Sequence, residues 1–98
     1  MKGSYHSICQ KYNLKDDYFD HRTNHDSIGT LEFNICLYDK VIEIRVMKKN
    51  KFILSLSISE DSFGMFEPNP KITIGRDRCL EVLRENHPEV FEWCLWNL

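Results

Sequence analysis

Cysteine and histidine residues near the N-terminus have the spacing of a metal site. Two residues separate His6 from Cys9, three separate His21 from His25, and eleven lie between the two pairs. Two ligand pairs about a dozen residues apart are typical of tetrahedral zinc sites. However, one cysteine with three histidines is an uncommon ligand set, and no short hairpin precedes the segment. We therefore predict no metal or other cofactor, with a zinc-stabilised module as an alternative.

The sequence contains no recognisable catalytic motif. The phosphate-binding pattern GxxxxGK[ST], the zinc-protease pattern HExxH and the nucleophile pattern GxSxG are all missing. Cys79 and Cys94 fall in apolar stripes, where a thiol is not activated as a nucleophile. Cys36 projects from the predicted wet face of a sheet and is the thiol that we expect to be alkylated first. The sequence therefore predicts a noncatalytic protein.

Basic residues gather at the tip of a predicted hairpin and form a candidate nucleic-acid site, which consists of Arg45, Lys48, Lys49 and Lys51. Lysines at such a tip can contact phosphates, and Tyr38 or Phe52 could stack on a base. The whole chain nevertheless has 13 Lys and Arg against 15 Asp and Glu, which gives a net charge of −2. Because phosphate-backbone binding usually requires a basic excess, nucleic-acid binding is kept only as an alternative.

Glutamates recur at helical spacing towards the C-terminus. Glu81, Glu85, Glu89 and Glu92 follow each other at intervals of four, four and three residues. On one continuous helix they would form a single acidic stripe, which could guide the protein onto a basic surface of a partner. Pro88 lies within this region and predicts either two short helices or one bent helix, and a strong kink would break the stripe.

Large apolar side chains are predicted outside the regular core and form candidate anchors for a partner. Trp96 falls away from the apolar arc of the C-terminal helix, and Trp93 lies at its margin. Three more side chains, Phe63, Met65 and Phe66, occur in a segment interrupted by glycine and proline, which we interpret as a loop. Because tryptophan, phenylalanine and methionine are favoured at interface centres, these residues predict a protein partner or a homodimer.

Three runs of alternating apolar residues predict the sheet that positions these side chains. The runs cover residues 31–37, 42–46 and 52–58. A two-residue turn at Asp39 and Lys40 would pair Leu37 with Ile42 on the core face, and every further pair would follow. A three-residue loop over 48–50 would place Phe52 opposite Val46 and put Asn50 in the left-handed conformation. The sequence thus predicts an antiparallel meander of three strands.

The flanking segments complete an α+β fold. Helical spacing predicts an N-terminal helix over 4–14, a loop over 15–29 and a C-terminal helical region over 78–97. Residues 71–74 are short enough for a fourth, edge strand. Residues 1–98 are thus predicted to form one compact domain, with a sheet of three to four strands covered on one face by helices.

The function predicted from these features is a small protein-binding module. It would be a regulator or inhibitor that occupies a partner's surface, and a phage or mobile-element inhibitor is one concrete example. The absence of a secretory leader and of an apolar run of about 20 residues predicts a cytoplasmic protein without membrane contact.

Overall fold

A computed structural model describes residues 4–14, 24–68 and 71–97 of the chain. Its helices are α1 (Ser4–Lys11), α2 (Arg76–Asn86) and α3 (Pro88–Asn97). Its strands are β1 (Asn24–Ile28), β2 (Leu31–Tyr38), β3 (Val41–Lys48), β4 (Lys51–Ile58), β5 (Phe63–Pro68) and β6 (Lys71–Gly75). The strands form one antiparallel sheet in the order β1-β2-β3-β4-β5-β6. The predicted α+β class is confirmed, whereas the predicted number of three to four strands is too small.

The hairpin of β2 and β3 has the predicted register. Leu37 pairs with Ile42, Ile35 with Ile44 and Phe33 with Val46. Asp39 and Lys40 both have positive φ angles, of 52° and 62°, as a two-residue type I′ turn requires. The inward side chains of β2 are all buried, and so are those of Ile42, Ile44 and Val46 on β3. The apolar alternation alone was sufficient to fix this register, because a slip by one residue would turn every apolar side chain to solvent.

The predicted register of the second hairpin is wrong. Its turn contains two residues, Lys49 and Asn50, both with positive φ, and Met47 rather than Val46 pairs with Phe52. A bulge follows, so that Val46 pairs with Leu54 and Ile53 is the extra residue of β4. The bulge lets a tight type I′ turn coexist with inward Leu54, Leu56 and Ile58. Phe52 consequently shares the sheet face of Met47 and does not point into the core.

Two segments that we predicted as loops contain strands. Residues 24–28 of the predicted loop over 15–29 form the edge strand β1, and residues 15–23 lie outside the described part of the chain. The segment with Phe63 and Met65 is β5, whose side chains alternate between the two sheet faces. Because β1 is almost entirely polar and β5 contains Gly64 and Pro68, neither has a clear apolar pattern. The predicted edge strand over 71–74 is confirmed as β6.

The helices begin and end where local sequence signals act. Helix α1 ends at Lys11, three residues before the predicted boundary, because Asn13 adopts a positive φ of 53° and the Leu14 N–H donates to the Cys9 carbonyl. The C-terminal region divides at His87, and Pro88 occupies the first position of α3, where its missing N–H costs nothing. No described helix is long and apolar enough to cross a membrane.

The core lies between the inward face of the sheet and the helices. The helices contribute buried side chains to it, which are Tyr5, Ile8, Cys79, Leu83, Val90, Trp93 and Cys94. Trp93 stacks on Phe33 of β2 with the ring centroids 4.8 Å apart and the planes at 12°. The opposite face of the sheet, which we call the open face, carries Asn34, Cys36, Glu43, Arg45, Met47, Phe52, Ser55, Ser57, Gly64 and Phe66.

The turn of the second hairpin can be tested by substitution. Because Lys49 and Asn50 both occupy the left-handed region, replacing them by Asn and Gly should stabilise the protein by about 0.5–1 kcal/mol. Urea unfolding of the double variant and of the wild type measures this gain. The same replacement at Asp39 and Lys40 is the matched control and should give a similar gain. A loss of stability at 49 and 50 alone would contradict the two-residue turn.

Candidate functional site

The clearest exposed apolar feature is on α3. Leu95 and Trp96 are consecutive residues with exposed fractions of 69% and 79%. Glu89, Glu92 and Trp96 follow at intervals of three and four residues, so they lie along one stripe of the helix, and both glutamates are exposed. Helix α3 contains no basic residue. We call Glu89, Glu92, Leu95 and Trp96 the α3 surface, which combines a large apolar area with two negative charges.

The four predicted glutamates are all exposed, but they belong to two helices. Glu81 and Glu85 are on α2, and His87 separates them from Glu89 and Glu92 on α3. On α2 the exposed Arg78 and Arg84 lie within three residues of Glu81, so the positive charge offsets the negative charge locally. The unbalanced negative charge of the helical region is therefore on α3.

Three predicted anchors are not available to a partner. Phe63 and Met65 point inward from β5, and Trp93 is 1% exposed in the core. Phe66 points to the open face, where its ring lies 6.5 Å from that of Phe52. The helical layer that carries Trp96 is on the other side of the sheet. The five predicted anchors therefore do not form one surface. Successive side chains of β5 point to opposite faces of the sheet, so Phe66 is on the face opposite to Phe63 and Met65.

A carboxylate in the segment that we predicted as a loop holds three elements together. Asp26 of β1 pairs with Phe33 of β2, and both residues lie on the inward face of the sheet. Its Oδ2 accepts hydrogen bonds from the Tyr12 hydroxyl at 2.7 Å and from Trp93 Nε1 at 2.9 Å. Asn97 on the last turn of α3 joins this group, since it accepts hydrogen bonds from Tyr12 and Lys11. These bonds tie the segment after α1, strand β1 and helix α3 into one polar cluster.

The bonding of Asp26 is reflected in its ionisation. Burial alone would raise the pKa of this carboxyl, but the hydrogen bonds from Tyr12 and Trp93 outweigh it and the pKa is lowered. For Tyr12, burial and then the Asp26 carboxylate raise the pKa well above the ordinary value of a phenol. At neutral pH the tyrosine is thus a neutral donor and the aspartate a charged acceptor. The charged acceptor and its two neutral donors thus stabilise the packing of α3.

The described zinc candidates are not brought together. His6 is exposed on α1 with its Nε2 3.8 Å from a carboxylate oxygen of Glu60, and Cys9 is half-buried. His25 Nδ1 lies 2.6 Å from Asn34 Oδ1 on the open face. The described residues include no group of three or more His, Cys, Asp or Glu side chains that could hold a metal. The fourth candidate, His21, lies outside the described residues.

The basic candidates of the second hairpin are divided between two sides. Lys48 pairs with Leu31 of β2 and with Lys51 of β4. Because Leu31 points inward, both lysines lie on the inward side of the sheet, beyond the end of the core. Lys49 is in the turn. Arg45 is on the open face, and its guanidinium lies 4.8 Å from the centroid of the Phe52 ring. The open face also carries Glu32 and Glu43, so two carboxylates lie near Arg45 on the central strands. Arg45 and the three lysines therefore do not form one phosphate-binding face together with the rings of Phe52 and Phe66.

A small cavity lies beside this hairpin, at the junction of α2 and α3. It has a volume of about 160 Å³ and is lined in part by Leu31, Ile53, His87 and Val90. His87 Nε2 lies 2.8 Å from a carboxylate oxygen of Glu67 on β5. Ligand pockets usually have volumes of about 300 to 1,000 Å³, so this cavity could admit one side chain but not a typical substrate.

No protein-family model, curated protein or solved structure matches the chain. The fold class is nevertheless defined by the described elements, as an open antiparallel sheet with helices packed against one face. Its functional interpretation depends on the surfaces described above.

The role of Asp26 gives a pH-dependent expectation. Because its folded-state pKa is lowered, its contribution is present above the unfolded pKa of a carboxyl and is lost as the pH falls through the folded value. Replacing Asp26 by Asn should lower the free energy of unfolding at pH 7 by about 1–3 kcal/mol, since two hydrogen bonds to a charged acceptor are weakened. Chemical unfolding between pH 7 and pH 3 should show the two proteins converging at the acidic end.

The control is Asp61→Asn, because Asp61 is exposed and accepts a bond only from the Ser59 hydroxyl among the bonds described. Its effect should stay within about 0.5 kcal/mol at every pH. A constant difference between wild type and the Asp26 variant across the pH range would show that packing, and not the charge, is responsible.

The cysteines should differ in reactivity. Burial raises the pKa of both Cys79 and Cys94 to about 12, and both side chains are inside the core. Cys36 and Cys9 are only half-buried. In dilute native protein at pH 8, iodoacetamide should therefore modify Cys36 and Cys9 well before the other two. Peptide mass spectrometry measures the order, and modification in urea, where all four thiols should react, is the control. Early labelling of Cys79 or Cys94 would contradict the packing of α2 and α3.

Proposed function

We propose that the protein is a small noncatalytic module that binds another protein through the α3 surface. The observation that carries the proposal is the adjacent exposure of Leu95 and Trp96, at 69% and 79%. An isolated exposed leucine is ordinary on a soluble protein. A tryptophan beside it is different, because tryptophan is among the residues most enriched at binding hot spots.

The packing of α3 supports a preorganised surface. Val90, Trp93 and Cys94 hold the inner side of the helix in the core, and the Trp93 ring is both stacked and hydrogen-bonded. The helix therefore presents Trp96 without first having to order its backbone. A rigid surface loses less conformational entropy on association, which favours affinity.

The charges of the α3 surface indicate the chemistry of the partner. Glu89 and Glu92 flank the apolar residues, and α3 itself has no compensating cation. A complementary partner would offer an apolar pocket for the indole of Trp96, rimmed by lysine or arginine. Opposite charges at such a rim increase the association rate and select against acidic partners. Occupation of a basic, functional groove is how a regulator or inhibitor of this kind would act, as the sequence analysis also predicts.

The test is the affinity for a captured partner. Tagged wild-type protein is used to retain proteins from a lysate of the source cell, and the retained protein is then purified for a binding titration. Trp96→Ala should weaken binding by about 30-fold or more, which corresponds to a hot-spot loss of about 2 kcal/mol. Stability should change by less than about 0.5 kcal/mol, because the side chain is exposed.

Two matched variants locate the contact. Tyr38→Ala removes another exposed aromatic side chain, 48% exposed, at the β2–β3 turn, and should leave the affinity unchanged. A Glu89→Gln, Glu92→Gln double variant should lower the association rate and reduce its dependence on salt. Equal binding of wild type and Trp96→Ala to the purified partner would overturn the proposal.

A further inference from the structure

The open face is a second surface, independent of α3, and its residues are arranged in rows across the strands. The sheet register defines two adjacent central rows. The first consists of Asn34, Arg45, Ser55 and Phe66, and the second of Cys36, Glu43, Ser57 and Gly64. None of the described helices covers these rows, since the helices supply the core on the other face. Glu43, Arg45 and Ser57 are exposed, and Phe66 is half-buried.

These two rows are complementary to each other. Two identical sheets that face one another are related by a two-fold axis lying in the plane between them. If that axis runs across the strands between the two rows, the first row of one copy lies over the second row of the other. Arg45 then lies over the partner's Glu43, and Glu43 lies over the partner's Arg45, which gives two ion pairs of opposite charge.

The same operation matches the shapes of the side chains. Phe66 comes to lie over the partner's Gly64, where no side chain opposes the ring, and the exposed Ser57 lies over the partner's Ser55, which is buried among its own neighbours. In one outer row Met47 lies over the partner's Val41. Small residues opposite large ones are what lets two sheets approach to about 10 Å.

We propose that the open face binds a second copy of this chain, in a face-to-face dimer with Glu43 and Arg45 paired across the two-fold axis. The extent of the sheet supports this occupant. The 40 residues of the six strands, at about 3.4 Å along a strand and about 4.8 Å between strands, give a face of about 650 Å² in projection. Stable interfaces bury about 800 Å² per partner, and a corrugated face exposes more area than its projection. A phosphate backbone is a poor occupant of the central strands, because Glu32 and Glu43 lie near Arg45 on β2 and β3 and repel phosphate.

A charge swap with rescue tests this pairing. Analytical ultracentrifugation of the wild type between about 1 μM and about 1 mM should show a concentration-dependent species of twice the 11.7 kDa chain mass. Glu43→Arg and Arg45→Glu should each weaken the dimer at least about tenfold, because each places like charges opposite one another. The double variant restores opposite charges and should recover the dimer. Far-UV circular dichroism checks that each variant is folded.

The alkylation rate of Cys36 gives a second measurement. Cys36 lies over the partner's Asn34 in the proposed dimer, so its modification by iodoacetamide should slow as the wild-type concentration rises. In Glu43→Arg the same slowing should require a protein concentration at least about tenfold higher. Trp96→Ala is the control for the other side of the molecule and should leave the dimer intact, so that failure of this proposal is distinguishable from failure of the α3 surface.

Several results would overturn the dimer. These are a wild type that stays monomeric across the whole range, single variants that dimerise as well as the wild type, and a double variant that does not recover. Loss of the dimer in Trp96→Ala would place the contact on α3 instead. Binding of labelled oligothymidylate by monomeric wild type, abolished in Phe52→Ala, would assign the open face to single-stranded nucleic acid.

Discussion

The attachment of Trp93 to the sheet is the interaction on which the arrangement of the surfaces depends. Its indole stacks on Phe33, and its N–H donates to the Asp26 carboxylate, so both the depth and the rotation of α3 are fixed. A helix turns by about 100° per residue, so fixing Trp93, Val90 and Cys94 inward determines which positions face outward. Glu92, Leu95 and Trp96 are exposed as a consequence. The burial of one tryptophan therefore causes the exposure of the other.

Asp26 makes this attachment directional. Stacking alone would allow the Trp93 ring to slide over Phe33, whereas a hydrogen bond to a fixed acceptor on β1 does not. The cost of desolvating a carboxylate is offset because Tyr12 also donates to it, and Lys11 is close enough to lower its pKa further. One polar group thus connects the edge of the sheet to both the N-terminal and the C-terminal helical segments. Without it, the polar strand β1 would be held mainly by its backbone pairing with β2 and by Ile28, which packs against the core.

The sequence predicted those parts of the fold that depend on strong periodicity. The register of β2 and β3 followed from apolar alternation, because a slip would expose a full row of apolar side chains. Pro88 likewise predicted either two short helices or one bent helix, and the structure has two helices. The bulge at Ile53 could not be predicted, since the three successive apolar residues Phe52, Ile53 and Leu54 of β4 fit more than one register. Strand β1 was missed because its pairing depends on backbone bonds and on Asp26, neither of which has a hydropathy pattern.

The candidate site was predictable only in part for a related reason. The sequence predicted that Trp96 points outward. A packed helix has one inward face, and the angle of each residue relative to that face follows from its position in the sequence. Phe63, Met65 and Phe66 could not be assigned in this way, because their burial depends on whether β5 joins the sheet. The complementarity of the open face was also beyond sequence reasoning. It arises from the register of four strands together, which places Gly64 in the row beside Phe66.

The two proposed surfaces are on opposite sides of the sheet, and this placement has a consequence for binding. In a face-to-face dimer the open faces are buried between the copies, and both α3 surfaces point away from the two-fold axis to the outside. Such a dimer is bivalent and can hold two partner molecules, or two sites of one oligomeric partner, at once. When both sites can be reached together, the second contact forms within the complex and apparent affinity rises by about 10² to 10⁴ without any new interaction. Pairing through the open face would therefore add to the apparent affinity of each α3 surface without enlarging that surface.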